Sequence, residues 1–87
     1  MKIHFVGIGG IGMSALAQHM AKKGHIISGS DAVKSEVTDM LESKGIKVFI
    51  GHSDKNVFGA NLCVATSAAS VDNPEILYCV QNKIGVL

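Results

Sequence analysis

Four glycines fall within six positions near the start of the chain, namely Gly7, Gly9, Gly10 and Gly12. The run Gly7–Gly12 (GIGGIG) matches the pattern GxGxxG, which in dinucleotide-binding folds ends a strand and opens a helix. There the first glycine permits a tight turn, the second lets a phosphate approach the backbone, and the third lets the helix pack close to the strand. Amides at the helix start then face the anion, helped by the helix dipole. The loop therefore predicts a phosphate site; the alternative is a plain strand-to-helix turn, although one or two glycines suffice for that.

Two polar residues follow at positions that suit such a site. Ser14 lies one turn into the predicted helix, where its hydroxyl could join the phosphate shell or simply belong to the helix face. Asp31 follows the second predicted strand roughly 20 residues after Gly12, close to the spacing of the acid that accepts a ribose hydroxyl in dinucleotide folds. A carboxylate there suits a diol and repels a 2′-phosphate. The alternative for Asp31 is an Asx-turn or a helix-entry cap.

Two further segments follow predicted strands. Thr66, Ser67 and Ala68 come after the fourth strand with small side chains that could approach a phosphate or sugar, or form a solvated loop. His52 comes after the third strand and could bond a base or ribose, although a lone loop histidine is more often only solvated. The histidines share no metal-ligand spacing, and the sequence contains no GxxxxGK[ST], no GxSxG and no catalytic dyad. The residues predict binding without chemistry.

The elements that must position these residues alternate between strand and helix patterns. Apolar runs predict strands over 2–8, 25–29, 46–50, 61–66 and 84–87. Helical spacing predicts helices over 11–23, from the N-cap Ser35 to residue 44, and after the N-cap Asn73. Gly24 and Gly45 are predicted to end the first two helices. Residues 51–59 form a polar connection with room for one helical turn.

Each predicted helix carries an apolar face at helical spacing. The predicted inward residues are Met13, Leu16, Ala17 and Met20, then Val37, Met40 and Leu41, then Ile76, Leu77 and Val80. Almost continuously apolar strands that alternate with amphipathic helices imply a parallel sheet covered on both faces. Right-handed crossovers then predict an α/β fold, a Rossmann-like doubly wound sheet of about five strands.

Composition narrows the class of protein further. The 87 residues allow one domain, and the eight Lys against seven Asp and Glu, without any Arg, argue against nucleic-acid binding. Hydrophobic content of 47% and charged content of 17% exclude disorder, and no apolar run approaches the roughly 20 residues of a membrane span. Cys63 and Cys79 form neither a CxxC nor a disulfide framework, so we expect buried thiols in a cytoplasmic protein.

The run from His4 to Ala17 (HFVGIGGIGMSALA) resembles the opening of the Mur ligases, in particular the family that joins L-alanine to UDP-N-acetylmuramate. The resemblance continues through residues 28–31, 51–52, 66–68 and 72–75 to the last predicted strand. It covers essentially the whole chain in the right order and spacing.

This resemblance implies that residues 1–87 are a single N-terminal Rossmann-like domain that binds the UDP part of UDP-N-acetylmuramate. It implies that the ATPase and C-terminal ligase domains lie outside this chain, with the ATP and Mg²⁺ that the whole enzyme uses. No cofactor, metal, catalytic residue, nucleic acid or membrane is expected here, and the 87 residues alone are expected not to catalyse. The implied substrate-binding residues are Gly9, Gly10, Ile11, Gly12, Met13, Ser14, Ser30, Asp31, His52, Thr66, Ser67 and Ala68.

Three alternatives stay open at this point. An NAD-binding domain of an oxidoreductase or regulatory module fits GxGxxG and Asp31 equally well, and an interaction module without a ligand fits the fold. The related ligase that recycles murein tripeptide differs in its opening loop. The segment Ala68–Ser70 departs from the family pattern, in which a bulkier apolar residue follows the first alanine.

Overall fold

The computed structural model describes all residues from 1 to 87. The chain forms five strands, three α-helices and one 3₁₀ turn, and every predicted element is present. In chain order these are β1 (Lys2–Val6), α1 (Ile11–Lys22), β2 (Ile26–Asp31), α2 (Glu36–Ser43), β3 (Lys47–Ile50), the 3₁₀ turn (Asp54–Val57), β4 (Leu62–Ala65), α3 (Pro74–Gln81) and β5 (Gly85–Val86). None of the three helices is long and apolar enough to cross a membrane.

All five strands run parallel in the order β3-β2-β1-β4-β5, with β1 at the centre. The chain moves outward from β1 through β2 to β3, and then crosses to β4 on the other side of β1. The order therefore reverses between β1 and β4, and open α/β sheets bind ligands in the crevice beyond the strand ends at such a point. The predicted Rossmann-like doubly wound α/β fold is confirmed.

The two faces of the sheet have separate cores. Helices α1 and α2 cover the larger one, whose buried members are Ile3, Phe5, Ile8, Ala17, Ile27, Leu41, Ile46 and Val48. The 3₁₀ turn and α3 cover the smaller one, which contains Val6, Val57, Cys63 and Cys79. Both cysteines are free and buried, as predicted. Burial raises the pKa of Cys63 to about 12 and also raises the pKa of Cys79, so both thiols stay protonated.

Helix α1 differs from the prediction at one position. Ala17 is fully buried and Met13 and Met20 pack against the core, but Leu16 is 42% exposed. The contact between α1 and the sheet is narrow because it centres on the small side chain of Ala17. Leu16 lies about 100° around the helix axis from Ala17, so its side chain is only partly covered by the sheet. The predicted inward face of α2 is confirmed, since Leu41 is buried in the core.

Helix α3 turns only part of the predicted face inward, since Ile76 alone of the three predicted residues packs against the smaller core. Leu77 and Val80 are 42% and 65% exposed, whereas Glu75 and Cys79 are fully buried. Residues four apart share one side of a helix, so burial of this pair turns Leu77 and Val80 away from the sheet. Apolar periodicity missed this face because its first member is a carboxylate.

The helix ends follow the predicted signals. The Ser35 hydroxyl accepts the Thr38 amide at 3.2 Å, and the Asn73 side chain accepts the Glu75 amide at 2.9 Å. Gly24 and Gly45 follow α1 and α2 with φ of 94° and 86°. These caps and stops fix where each loop leaves its helix.

Close packing of the glycine loop against the sheet occurs at Gly29 in β2. A Cβ at Gly29 would lie 2.6 Å from Cβ of Ile8, whose side chain lies across this strand. A Cβ at Gly12 would meet no atom within 4 Å. The prediction that Gly12 lets the helix pack close to the strand is therefore wrong, because Ile8 makes that close contact through Gly29.

Replacement of Gly29 by Ala should lower the free energy of unfolding by about 1–3 kcal/mol, since the new methyl group must displace Ile8. Gly12→Ala is the matched control, and it should leave stability unchanged or raise it by about 0.4–1 kcal/mol. Urea unfolding monitored by circular dichroism measures both variants. Equal stability of the two would contradict this packing.

Candidate functional site

Four loops meet beyond the carboxyl ends of the strands. The glycine loop follows β1, Asp31 ends β2, His52 follows β3 and Thr66 follows β4. Because these strands are parallel neighbours in the sheet, the predicted site residues are brought to one edge. The glycine loop, Asp31 and His52 lie on one side of the point where the strand order reverses, and Thr66 lies on the other side.

The glycine loop is held by the end of β2. Gly7 has a φ of 84°, which turns the chain sharply after β1. The amides of Gly7 and Ile8 both donate to the carbonyl oxygen of Ser30, at 2.8 and 3.0 Å. The Gly10 amide donates back to Gly7 O at 3.2 Å. These bonds fix the position of the glycine loop, and therefore of the start of α1, relative to the end of β2.

The first turn of α1 presents three amides without acceptors. Gly10 is the N-cap, with an extended backbone and no side chain to cap the helix, and the first turn contains no acidic residue. The amides of Ile11, Gly12 and Met13 have no hydrogen-bond partner in the structure. Unpaired amides at the positive end of a helix dipole form an anion site. This turn follows β1, beside the point where the strand order reverses, and its free amides can donate to an anion.

Asp31 ties the loop to β2. Its Oδ2 accepts the Gly9 amide at 2.9 Å, and its Oδ1 accepts the Val33 amide at 3.3 Å. The second contact is the Asx-turn that the sequence left open as an alternative. A Cβ at Gly9 would lie 2.7 Å from Asp31 Oδ2, so glycine at this position accommodates the carboxylate. The Gly9 amide is thus occupied, unlike the three that follow Gly10.

The remaining loop residues differ in how far they are free to contact a ligand. Ser14 is only 6% exposed, and its hydroxyl donates to the carbonyl of Ile11 at 3.0 Å. Thr66 Oγ1 accepts the Ala68 amide at 3.4 Å. Ser67 and Ala68 are exposed, with no side-chain hydrogen bonds. The Ser67 hydroxyl is therefore a free polar side-chain group in the loop after β4.

Glu75 was missed by the sequence reasoning, and it is the centre of a buried hydrogen-bond network. Its side chain is fully buried. Oε1 accepts from His4 Nε2 at 2.6 Å and from Ser30 Oγ at 2.7 Å. Oε2 accepts from Asn56 Nδ2 at 2.9 Å, the Ser53 amide at 3.1 Å and His52 Nδ1 at 3.3 Å. One carboxylate therefore joins α3 to β1, to β2 and to the loop after β3.

These contacts keep Glu75 ionised. Burial raises its pKa, but hydrogen bonds from His4, Ser30 and Asn56 outweigh burial and lower the pKa to about 2. No lysine lies within ion-pair distance of it. The signal in the sequence was His4 itself, because a histidine inside an apolar strand needs a buried partner.

The network also explains where Ser30 and His52 lie. Ser30 is fully buried, and its hydroxyl and carbonyl both face inward, to Glu75 and to the glycine loop. His52 is partly exposed, and its Nδ1 lies 3.0 Å from Ser30 Oγ, within hydrogen-bond distance. No group of three or more His, Cys, Asp or Glu side chains is arranged to hold a metal ion.

Comparison with known proteins decides the family. The model of the "Mur ligase family, catalytic domain" matches residues 2–87, almost the entire chain. The chain belongs to the Mur ligase family. The resemblance of its opening run to this family is thereby confirmed.

Individual Mur ligases show how much of such a protein this chain represents. The UDP-N-acetylmuramate–L-alanine ligase of Clostridium tetani is 44% identical over 86 residues, which is 99% of this chain and 19% of that protein. A crystal structure of UDP-N-acetylmuramate–alanine ligase from Thermotoga maritima has a TM-score of 0.96 at 43% identity, over 99% of this chain and 20% of that one. A murein peptide ligase from Psychrobacter arcticus has a TM-score of 0.91 at 27% identity, over 100% and 18%. The chain therefore spans about a fifth of the length of these relatives.

Acid should destabilise this Mur ligase chain through Glu75. The pKa of its carboxyl falls from 4.5 to about 2 on folding, so its contribution is complete above pH 4.5 and is lost as the pH falls through about 2. This difference corresponds to about 3 kcal/mol, because each pKa unit is about 1.36 kcal/mol. Urea unfolding at a series of pH values measures the loss.

Two variants separate the contribution of Glu75 to this acid dependence from the contributions of the other carboxylates. Glu75→Gln should be less stable at neutral pH and should lose this part of the acid dependence. Glu42→Gln, which changes an exposed carboxylate without an ion pair, should follow the wild-type curve. An acid dependence that is the same in all three proteins would contradict the assignment.

Proposed function

We propose that this chain is the substrate-binding domain of a UDP-N-acetylmuramate–L-alanine ligase, and that it binds the UDP part of UDP-N-acetylmuramate. The observation that carries this is the row of three unpaired amides, Ile11, Gly12 and Met13, at the point where the strand order reverses. The family supports it, because relatives at 43–44% identity over this region are named for that ligase activity.

A diphosphate suits the start of α1 for electrostatic reasons. The chain contains no arginine, so no guanidinium from it can clamp a phosphate. The 12-residue helix instead supplies three N–H donors and the positive end of its dipole, with no acidic residue in the first turn. Gly10 and Gly12 have no Cβ beside these three amides, which leaves the amides open, whereas Gly7 and Gly9 serve the turn and the contact with Asp31.

The groups on either side of the diphosphate suit the rest of the ligand. Asp31 and His52 border the uridine side, where they are proposed to contact the ribose or the base. Thr66, Ser67 and Ala68 border the other side, where the sugar would lie. Ser30 and Ser14 are buried, so we assign them to holding the loop in place near the ligand.

The chemistry of ligation belongs to other domains in this proposal. In the whole ligase, ATP would supply the phosphoryl group that activates the substrate carboxylate, and Mg²⁺ would neutralise charge on the phosphates. The 87 residues contain no GxxxxGK[ST] loop to bind the phosphates of ATP and no carboxylate cluster to bind Mg²⁺. Their side chains therefore fit neither ATP nor Mg²⁺. The role of this chain is to bind and orient UDP-N-acetylmuramate.

Calorimetric titration tests the ligand directly. UDP-N-acetylmuramate should bind the chain and NAD should not, because the family is that of ligases. Binding of NAD with no response to UDP-N-acetylmuramate would favour the dinucleotide-binding alternative. Absence of binding by both would favour an interaction module.

Gly10→Asp tests the phosphate cradle. A Cβ at Gly10 meets only ordinary contacts of 3.6 Å or more, and aspartate is a favourable N-cap, so stability should stay the same or rise slightly. The new carboxylate should accept the Gly12 or Met13 amide and repel the diphosphate. Loss of one charge-assisted hydrogen bond costs about 1.5–3 kcal/mol, so affinity for UDP-N-acetylmuramate should fall at least about tenfold.

Two matched variants at the same position isolate the charge. Gly10→Ala adds a Cβ alone and should bind nearly as the wild type does. Gly10→Asn caps the same amides without a charge and should give an intermediate loss. If Gly10→Asp binds with wild-type affinity, the start of α1 is not the phosphate cradle.

The isolated chain should not turn over. A coupled assay with UDP-N-acetylmuramate, ATP and L-alanine should detect no release of ADP, because no residue here is assigned to bind ATP. A full-length family member in the same assay is the positive control. Release of ADP by the 87 residues would overturn the proposal that ATP binding and catalysis belong to other domains.

A further inference from the structure

We propose that Glu75 is a positioning residue for ligand binding: it holds the ring of His52 with a protonated Nδ1 facing inward and leaves Nε2 as an acceptor at the carboxyl edge. This rests on the proposed function to the extent that His52 borders the uridine site. Glu75 itself is fully buried, so its side chain is not accessible to a ligand at the surface. Its effect must therefore pass through the residues it contacts.

The hydrogen bonds around Glu75 require a proton on Nδ1 of His52. Ser30 has a single hydroxyl proton, which it donates to Glu75 Oε1 at 2.7 Å. At the 3.0 Å contact between Ser30 Oγ and His52 Nδ1, Ser30 must therefore accept and Nδ1 must donate. The second neighbour of Nδ1 is Glu75 Oε2 at 3.3 Å, and an ionised carboxylate can only accept. Both contacts require a proton on Nδ1.

The proton on Nδ1 then determines the hydrogen-bonding role of the outward nitrogen, Nε2. In a neutral imidazole only one nitrogen is protonated, so a proton on Nδ1 makes Nε2 the acceptor. Nε2 has no hydrogen-bond partner and is not buried, because no buried side-chain nitrogen or oxygen lacks a partner. Nε2 is thus a single, oriented acceptor open to solvent. It suits the N–H or O–H donors of a nucleoside, such as a uracil N–H or a ribose hydroxyl, and it does not suit a phosphate oxygen.

Glutamate suits this position better than glutamine does. The carboxylate is surrounded only by donors, which come from His4, Ser30, His52, Ser53 and Asn56. A carboxamide has one acceptor oxygen and one donor group, so one side of the network would lose its acceptor. With the amide group on the side of Oε2, a donor would face His52 Nδ1, and Ser30 Oγ would be the one remaining acceptor. The preference of the His52 proton for Nδ1 should therefore weaken.

The first measurement needs no ligand. Long-range ¹H–¹⁵N spectra at mildly alkaline pH distinguish the protonated from the unprotonated nitrogen of each imidazole. Wild-type His52 should show a protonated Nδ1 and an unprotonated Nε2, and Glu75→Gln should move proton population to Nε2. Ser30→Ala, which leaves Glu75 Oε2 as the inward acceptor, should retain the wild-type tautomer.

The second measurement is a double-mutant cycle with UDP as the probe. Glu75→Gln and His52→Ala should each weaken UDP binding by about fivefold, the equivalent of one lost hydrogen bond near 1 kcal/mol. If Glu75 acts through His52, the double variant should bind no more weakly than His52→Ala. A structural role alone would instead multiply the two losses.

The outcomes are distinguishable. A wild-type His52 protonated on Nε2, a tautomer that Glu75→Gln leaves unchanged, or multiplicative losses would overturn the role of Glu75. If Glu75→Gln fails to fold, the wild-type spectrum and Ser30→Ala decide, because a switch to protonated Nε2 in Ser30→Ala assigns the control of the ring to Ser30. Failure of wild type to bind UDP would overturn the proposed function, and the spectra would still decide the role of Glu75.

Discussion

Glu75 is an ionised carboxylate that is buried without a lysine beside it, and the arrangement of the binding edge depends on how it is satisfied. A buried anion that lacks its partners costs several kcal/mol, so its contacts to His4, Ser30 and His52 must form together when α3 packs on the sheet. These contacts set the strand ends relative to one another. The carbonyl of Ser30 also accepts two amides of the glycine loop, so the residue that contacts Glu75 through its hydroxyl contacts the loop through its backbone.

Local signals in the sequence predicted the fold well. The GxGxxG run, the caps and the glycine stops are local features, and the structure has each element that they predicted. The inward face of α3 could not be predicted in this way, because apolar periodicity counts Leu77 and Val80 and passes over Glu75. A carboxylate is buried only when its partners converge on it, and these partners come from three distant segments. No local pattern contains that information.

In the candidate site, too, the sequence predicted the positions that follow from local signals but missed the contacts between distant segments. Sequence spacing placed Asp31, His52 and the loop after β4 at the correct edge, because parallel strands bring their carboxyl ends together. It did not show that Asp31 occupies the amide of Gly9, nor that Ser30 faces inward. Such details depend on where side chains find partners. They limit the proposed phosphate cradle to the first turn of α1. The proposal then assigns the surrounding side chains to positioning the loop and to contacting the nucleoside.

Amide-resolved NMR during titration with UDP-N-acetylmuramate shows whether three backbone amides hold the diphosphate. The largest shifts, together with new protection from hydrogen exchange, should occur at the amides of Ile11, Gly12 and Met13. The Gly9 amide, already bonded to Asp31, should change less. Saturable binding that leaves these three amides unchanged, with the largest shifts elsewhere on the domain, would show that the diphosphate is held by other groups.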